Sequence, residues 1–448
     1  MSSGLGLFLI VIIAIVGMIL LISKAKLHPF ITLILTAYFI GLATKTPVDK
    51  IITTIQNGFG SILGGIGIVI IAGTIIGTIL EKTGAALTMA NTILKVVGKK
   101  RAVLTMSLTG YVTSIPVFCD SGFVILSPIN RALAEKSGIS LAVMATALSS
   151  GLYVAHCLVP PTPGPIIMAG TLNANLGLLI MVGVLVSIPV MLAGYVYALK
   201  VASKFDIPAN PETTVEDLMA KYGKLPTAGR SFAPILLPII LIAFKSIADF
   251  PSAPFGIGFL KQFLDFIGNP VTALILGVFI AFTLIPKSEE KGISFKWVSE
   301  GISQSASILA ITGAGGALGA MLKSLPIAEA ISGSLLQYSI GLFLPFIIAM
   351  LLKTAMGSST VAMIVASAMV APLMVQMGMT SEIAKVLVVL AIGAGAMTVS
   401  HANDSYFWIV SQFSDMDTST AYKCQTGVTL VQGSVAIIVI SVLGVIFI

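Results

Sequence analysis

Apolar positions run along this chain in long unbroken blocks, and the polar positions that interrupt them fall in pairs. Blocks near residues 5 to 23, 28 to 45, 58 to 80, 139 to 158, 177 to 199, 231 to 249, 268 to 285, 300 to 322, 381 to 402 and 425 to 447 approach the roughly 20 residues a helix needs to cross a bilayer. They predict ten spans. Between them lie shorter apolar pieces, 102 to 114 with 121 to 134, and 340 to 353 with 359 to 374. Each piece is too short to cross alone, so each pair predicts a re-entrant hairpin whose tip is the polar break. Met1 to Gly6 carries no lysine or arginine, so the first block reads as a retained span rather than a cleaved signal peptide.

The breaks repeat. Ser114-Ile115-Pro116-Val117-Phe118-Cys119-Asp120-Ser121-Gly122 is followed by His156 and Pro160-Pro161; about 240 residues later, Gly357-Ser358-Ser359-Thr360 is followed by His401-Ala402-Asn403-Asp404-Ser405. Flanking stretches echo at the same offset: Asn57-Gly58-Phe59-Gly60-Ser61 with Glu300-Gly301-Ile302-Ser303-Gln304, and Gly77 to Lys82 with Gly319 to Ser324. If the loop holding Lys24 and Lys26 is cytoplasmic, 18 of the 25 basic residues fall on that side, as the positive-inside bias requires. Both termini then lie outside, and the blocks at 58 to 80 and 300 to 322 run in opposite directions. The expected fold is an all-α polytopic membrane protein of two inverted repeats, with re-entrant hairpins and broken transmembrane helices. Residues 1–200 form the first repeat, the hydrophilic stretch 201–230 a cytoplasmic linker, and 231–448 the second repeat.

Composition agrees with a membrane class. At 56% hydrophobic and 10% charged residues, with mean hydropathy +1.05, the chain has more apolar surface than one soluble core could bury. The net charge of +7 sits in short loops between apolar blocks rather than on one soluble face, so no nucleic-acid partner is expected. Cys119, Cys157 and Cys424 match neither a disulfide framework nor a zinc spacing and read as buried thiols.

Candidate chemistry lies where polarity is costly. Asp120 sits at the first break and Asp404 at the second; an intramembrane carboxylate is a functional candidate, here for carrying a coupling proton, although either could instead cap a half-helix. Gly357, Ser358, Ser359 and Thr360 offer hydroxyls and backbone N–H groups where a half-helix begins, which suits a carboxylate. Ser121 and Gly122 would do the same from the other hairpin, with close helix packing as the alternative. His156, His401, Asn403 and Ser405 complete the expected substrate contacts, the histidines as donors or proton shuttles. Glu81 reads as interfacial, Lys245 and Asp249 as an i, i+4 pair. The prolines of Pro160-Pro161-Thr162-Pro163-Gly164-Pro165 shape a break. Gly313 to Gly319 lacks the lysine of a nucleotide loop and reads as a helix contact, so transport without ATP is expected.

Together, Pro116-Val117-Phe118-Cys119-Asp120-Ser121-Gly122-Phe123-Val124, His156-Cys157-Leu158-Val159-Pro160-Pro161, Pro163-Gly164-Pro165, Gly357-Ser358-Ser359-Thr360-Val361 and Ser400-His401-Ala402-Asn403-Asp404-Ser405-Tyr406-Phe407-Trp408 resemble the gluconate permease family, the gluconate:proton symporters, within the larger ion transporter superfamily. The resemblance covers essentially the whole chain. It implies a bacterial inner-membrane importer of gluconate or a related sugar acid, hydroxy acid or amino acid such as glycerate or D-serine, usually coupled to protons. It also implies a homodimer with a scaffold and a moving transport domain. The chain departs at Thr162, where many members carry histidine, and at Asp120, where many gluconate carriers have the longer glutamate. Sodium coupling and an uncoupled anion channel stay open, and no cofactor, metal or enzymatic step is expected.

Overall fold

The computed structural model describes the chain except residues 1–3, 99–100, 116, 210–224, 250–254, 257, 287–291 and 326–340. Pro116, the middle of the predicted linker and the basic residues Lys99, Lys100, Lys287 and Lys291 therefore lie outside the described residues.

The first half comprises α1 (Gly4–Ser23), α2 (Pro29–Ala43), α3 (Val48–Lys82), α4 (Ala85–Val97), α5 (Ala102–Ser114), α6 (Cys119–Ser137), α7 (Leu141–Leu158), α8 (Pro163–Leu172) and α9 (Leu176–Lys200). The second comprises α10 (Ala228–Ala248), α11 (Phe259–Ile267), α12 (Pro270–Phe282), α13 (Ile293–Lys323), α14 (Phe343–Met356), α15 (Ser359–Val370), α16 (Glu382–Met397), α17 (Ser405–Phe413) and, after a π-helical turn at Tyr422–Thr426, α18 (Gly427–Phe447). Local chemistry sets many boundaries. Asn175 and Ser381 cap α9 and α16 by accepting from Leu178 and Ala384 N–H groups, Pro270 opens α12 behind an Asn269 cap, and α6 ends on left-handed Gly138.

Six described helices are long and apolar enough to cross a membrane alone, seven if α11 and α12, bent by 63°, count as one. That is fewer than the ten predicted blocks. The shortfall arises partly because α2 has 15 residues, and because α16 stops at Met397, where Thr398 turns to extended backbone. The two pairs of short apolar pieces form the helix pairs α5–α6 and α14–α15, each packed against its mate.

Long helices α3 and α13 pack along one another, with α2 packed chiefly on α13 and α12 on α3. Thr78 donates to the Gln304 side chain, and Lys82 pairs with Glu300 at 2.8 Å. The interior belongs to α7 and α16: every residue of α7 is buried, as are almost all of α16, so neither faces lipid. Small residues make this possible. Ser107 of α5 donates to the Ala147 carbonyl of α7 at 3.0 Å, and a Cβ at Gly151 would collide with the carbonyl of Ser107. On the other side, a Cβ at Gly395 of α16 would collide with the Phe346 carbonyl of α14.

At the rim, Arg131 of α6 donates to the carbonyls of Ala209 and Phe413 and to Asp415 at 2.8 Å, tying the first hairpin to the linker and to the loop after α17. The guanidinium holds the Asp415 carboxyl below its ordinary range.

The α5–α7 contact yields a test. Gly151→Ala must push two backbones apart and should cost about 1–3 kcal/mol, as overpacking does; melting of the detergent-solubilised protein reads it. Gly64→Ala, at a position with open space around it, should leave the melting temperature unchanged or slightly raised.

Candidate functional site

Four helices begin at the two pairs of breaks, and their starts converge. The α6 and α15 starts follow the hairpin tips, and the α8 and α17 starts follow the breaks after α7 and α16. Thr360 Oγ1 lies 3.4 Å from His156 Nε2, the Phe118 and His156 rings are 6.3 Å apart, and the Ser405 hydroxyl lies beside the Asp120 carboxylate. Gly164 of α8 is pressed so closely on the Met363 side chain of α15 that a Cβ would require that side chain to move. A small cavity beside these starts is lined by Thr74, Val117, Phe118, Pro161 and Thr162. First-turn N–H groups have no acceptor in their own helix and carry partial positive charge, so the convergence makes an electropositive centre. The four ends contribute unequally: Pro163 and Pro165 bring no N–H to the α8 start, whereas α6 starts without a side-chain cap and keeps its first-turn donors.

At the second tip stands an ion pair absent from the expectations above. Lys353, fully buried, donates to Asp404 Oδ2 at 2.6 Å and to the Gly357 carbonyl at 2.6 Å. Asp404 is crowded with donors: Ser400 Oγ at 2.5 Å and Tyr153 Oη at 3.4 Å reach Oδ2, and the Tyr406 N–H reaches Oδ1 at 3.1 Å, which makes Asp404 the N-cap of α17. The Lys353 ammonium also lies 5.8 Å from the Tyr153 ring centroid, and Tyr153 stacks on Tyr406 at 5.1 Å. A buried charge pair survives desolvation when its remaining donors and acceptors are engaged; here both carboxylate oxygens accept, and the ammonium donates to Asp404 and the Gly357 carbonyl with the Tyr153 ring beside it.

The predicted residues divide accordingly. Ser358 caps α15 by accepting from the Val361 N–H, Ser359 is buried in its first turn, and Thr360 faces His156. Gly357 has a left-handed φ of +81° and abuts the Asn403 carbonyl, so only glycine fits. Gly122 is packed against Leu152 and its N–H donates to the Phe118 carbonyl, so it serves contact rather than donation. Asn403 is exposed and donates to the Thr354 carbonyl at 2.6 Å. Asp120, half-buried with Ser121 in the first turn of α6, leaves its buried Oδ1 without a partner; so do His156 Nδ1 and His401 Nε2. Sequence reasoning missed Lys353, Tyr153, Ser400 and Tyr406. A signal for Lys353 existed: it is the lone charge in the apolar run Phe343–Met356, four residues before Gly357.

Breaking the pair should be severe. Lys353→Met strands a buried carboxylate and Asp404→Leu a buried ammonium, each at a cost of about 3–5 kcal/mol, while the double substitution should cost less than either alone. Melting of the purified variants measures the cycle.

Known proteins resemble this chain along its full length. The profile of GntP family permeases matches residues 7–446. A gluconate permease of Pseudomonas aeruginosa is 33% identical over 99% of this chain and 98% of its own. The D-serine transporter DsdX of Escherichia coli K12 is 34% identical over 98% of each. Among solved structures, Neisseria gonorrhoeae MtrF, described as representing a class of antimetabolite efflux pumps, matches with a TM-score of 0.66 over 95% of this chain and 96% of its own; at 14% identity the likeness is one of fold. With its multi-span helical architecture and a family match from end to end, the chain belongs to the GntP permease family of bacterial membrane transport proteins, which are permeases and not enzymes.

Proposed function

We propose that the chain is a secondary transporter importing a small organic anion, gluconate or a related sugar or hydroxy acid such as glycerate, by proton symport across the bacterial inner membrane. The observation that carries the reading is the convergence of four half-helix starts around Asp120, whose Oδ1 has no partner. Such an arrangement suits a carboxylate at the helix starts and a proton at the acid with an unpartnered oxygen. Asp404, held by Lys353, Ser400 and two tyrosines, is the poorer proton carrier. In this reading Asp120 takes the proton and Asp404 holds the second hairpin in place. Ser121, Ser358, Ser359, Thr360, His156, His401, Asn403 and Ser405 surround the substrate, with Gly122 and Gly357 allowing the close approaches.

Relatives named for gluconate and for D-serine bracket the substrate chemistry, since both molecules pair a carboxylate with a hydroxyl. The halves 1–200 and 231–448, joined by the linker 201–230, act as inverted repeats with both termini periplasmic. Support comes from matched pairs: α5–α7 closing at Gly151 and α14–α16 at Gly395, α2 on α13 and α12 on α3. The hairpins with α7, α8, α16 and α17 form the domain that moves, elevator-fashion, against a scaffold built on α3 and α13, in a homodimer.

Proteoliposomes under an imposed inward proton gradient test the reading. Wild type should accumulate gluconate or glycerate above equilibrium, and Asp120→Asn should lose the gradient-driven accumulation while still exchanging substrate. Flux that only ever reaches equilibrium would indicate a channel, and accumulation driven by sodium alone would remove the proton role.

A further inference from the structure

On the outer face, between α9 and α18, runs an apolar groove of about 420 Å³ that the transport site does not use. Leu192, Val196 and Val431 line its length, and Tyr197 and Lys200 stand at one end. From Pro189 to Val201 it follows α9 for about 18 Å at 1.5 Å per residue. That is close to one leaflet's share of a hydrocarbon core about 30 Å thick. The charged end is built from three directions. Lys200 is three residues beyond Tyr197 and so shares its face of the helix. Tyr197 Oη donates to the Lys423 carbonyl at 2.6 Å, which brings Lys423 to the same end, and the Lys423 ammonium lies 5.4 Å from the Phe205 ring centroid. Lys204 follows in the next turn and is exposed. Lys423 itself sits in a π-helical turn, a distortion frequent at functional sites. Among the described residues none of these three lysines is in an ion pair. The acid acting on Lys423, Asp417, already accepts from the Thr420 N–H.

We propose that this groove is a specific site for an anionic phospholipid, with one acyl chain along Leu192, Val196 and Val431 and the phosphate between Lys200 and Lys423. Acyl chains are as apolar as the leucines they would touch, so chain packing alone gives little preference over bulk lipid. Selectivity comes from the headgroup, as it does for basic pockets between transmembrane helices. A second copy of the chain fits less well, because a two-fold contact would set each lysine cluster against its own mate.

Native mass spectrometry of the delipidated protein titrated with dioleoyl phosphatidylglycerol or dioleoyl phosphatidylcholine tests the proposal. Phosphatidylglycerol should be retained and phosphatidylcholine should not. Lys200→Gln with Lys423→Gln, both at exposed positions, should weaken phosphatidylglycerol binding on the order of thirtyfold, the loss expected for two lysines at a membrane surface. Lys200→Arg with Lys423→Arg should restore it, and Ala193→Trp should displace the lipid by filling the groove with every lysine in place. Equal retention of both lipids, or an undiminished phosphatidylglycerol preference in the glutamine pair, would overturn the assignment. So would Ala193→Trp altering the oligomeric state with lipid still bound, which would make the groove a subunit contact.

Discussion

A lysine and an aspartate withdrawn from water hold the second hairpin tip against the second break. The ammonium of Lys353 reaches Asp404 and the Gly357 carbonyl at once, so the end of α14, the turn into α15 and the cap of α17 share one cation. Tyr153 brings α7, from the other half, into the same contact. With that pair engaged with itself, Asp120 is the acid at the converging helix starts that keeps an oxygen without a partner. The geometry of the α17 start, and with it the place of Ser405 beside Asp120, follows from where Lys353 puts Asp404.

The halves meet this need differently. Among the described residues the first hairpin turns over with no cation at its tip, and α6 begins without a side-chain cap. The second is tied down by Lys353, capped by Ser358, and locked by the fit of Gly357 beneath the Asn403 carbonyl. One tip thus leaves its first-turn donors without a side-chain cap, and the other engages Ser358 and the Gly357 carbonyl in its own structure.

Much of the fold was legible because hydropathy and helix length are one-dimensional properties. Both hairpins, both breaks and the long helices α3 and α13 follow from runs of apolar residues and the polar residues that stop them. Short helices escaped: α8 and α17, at ten and nine residues, read as parts of breaks because their proline- and polar-rich starts hide the helix that follows. At the candidate site, residue types single out Asp120 and the serines as polar groups at the breaks, but pairing is a property of space. Nothing near Asp404 in the chain announces a lysine 51 residues earlier. Lys353 was visible as a misplaced charge, and its partner became visible only once α14 and the α16 break were seen side by side.

That separation of 51 residues also orders the protein's assembly in time. During synthesis at about 5–20 residues per second, Lys353 exists for several seconds before Asp404 does. Through that interval its charge has no partner in the apolar interior and belongs at the membrane surface or in the translocation machinery. The charge of the first hairpin, on Arg131, meets Asp415 at an exposed site rather than in the apolar interior and can wait in water, whereas the α14–α15 tip is set only after the chain has grown past α16.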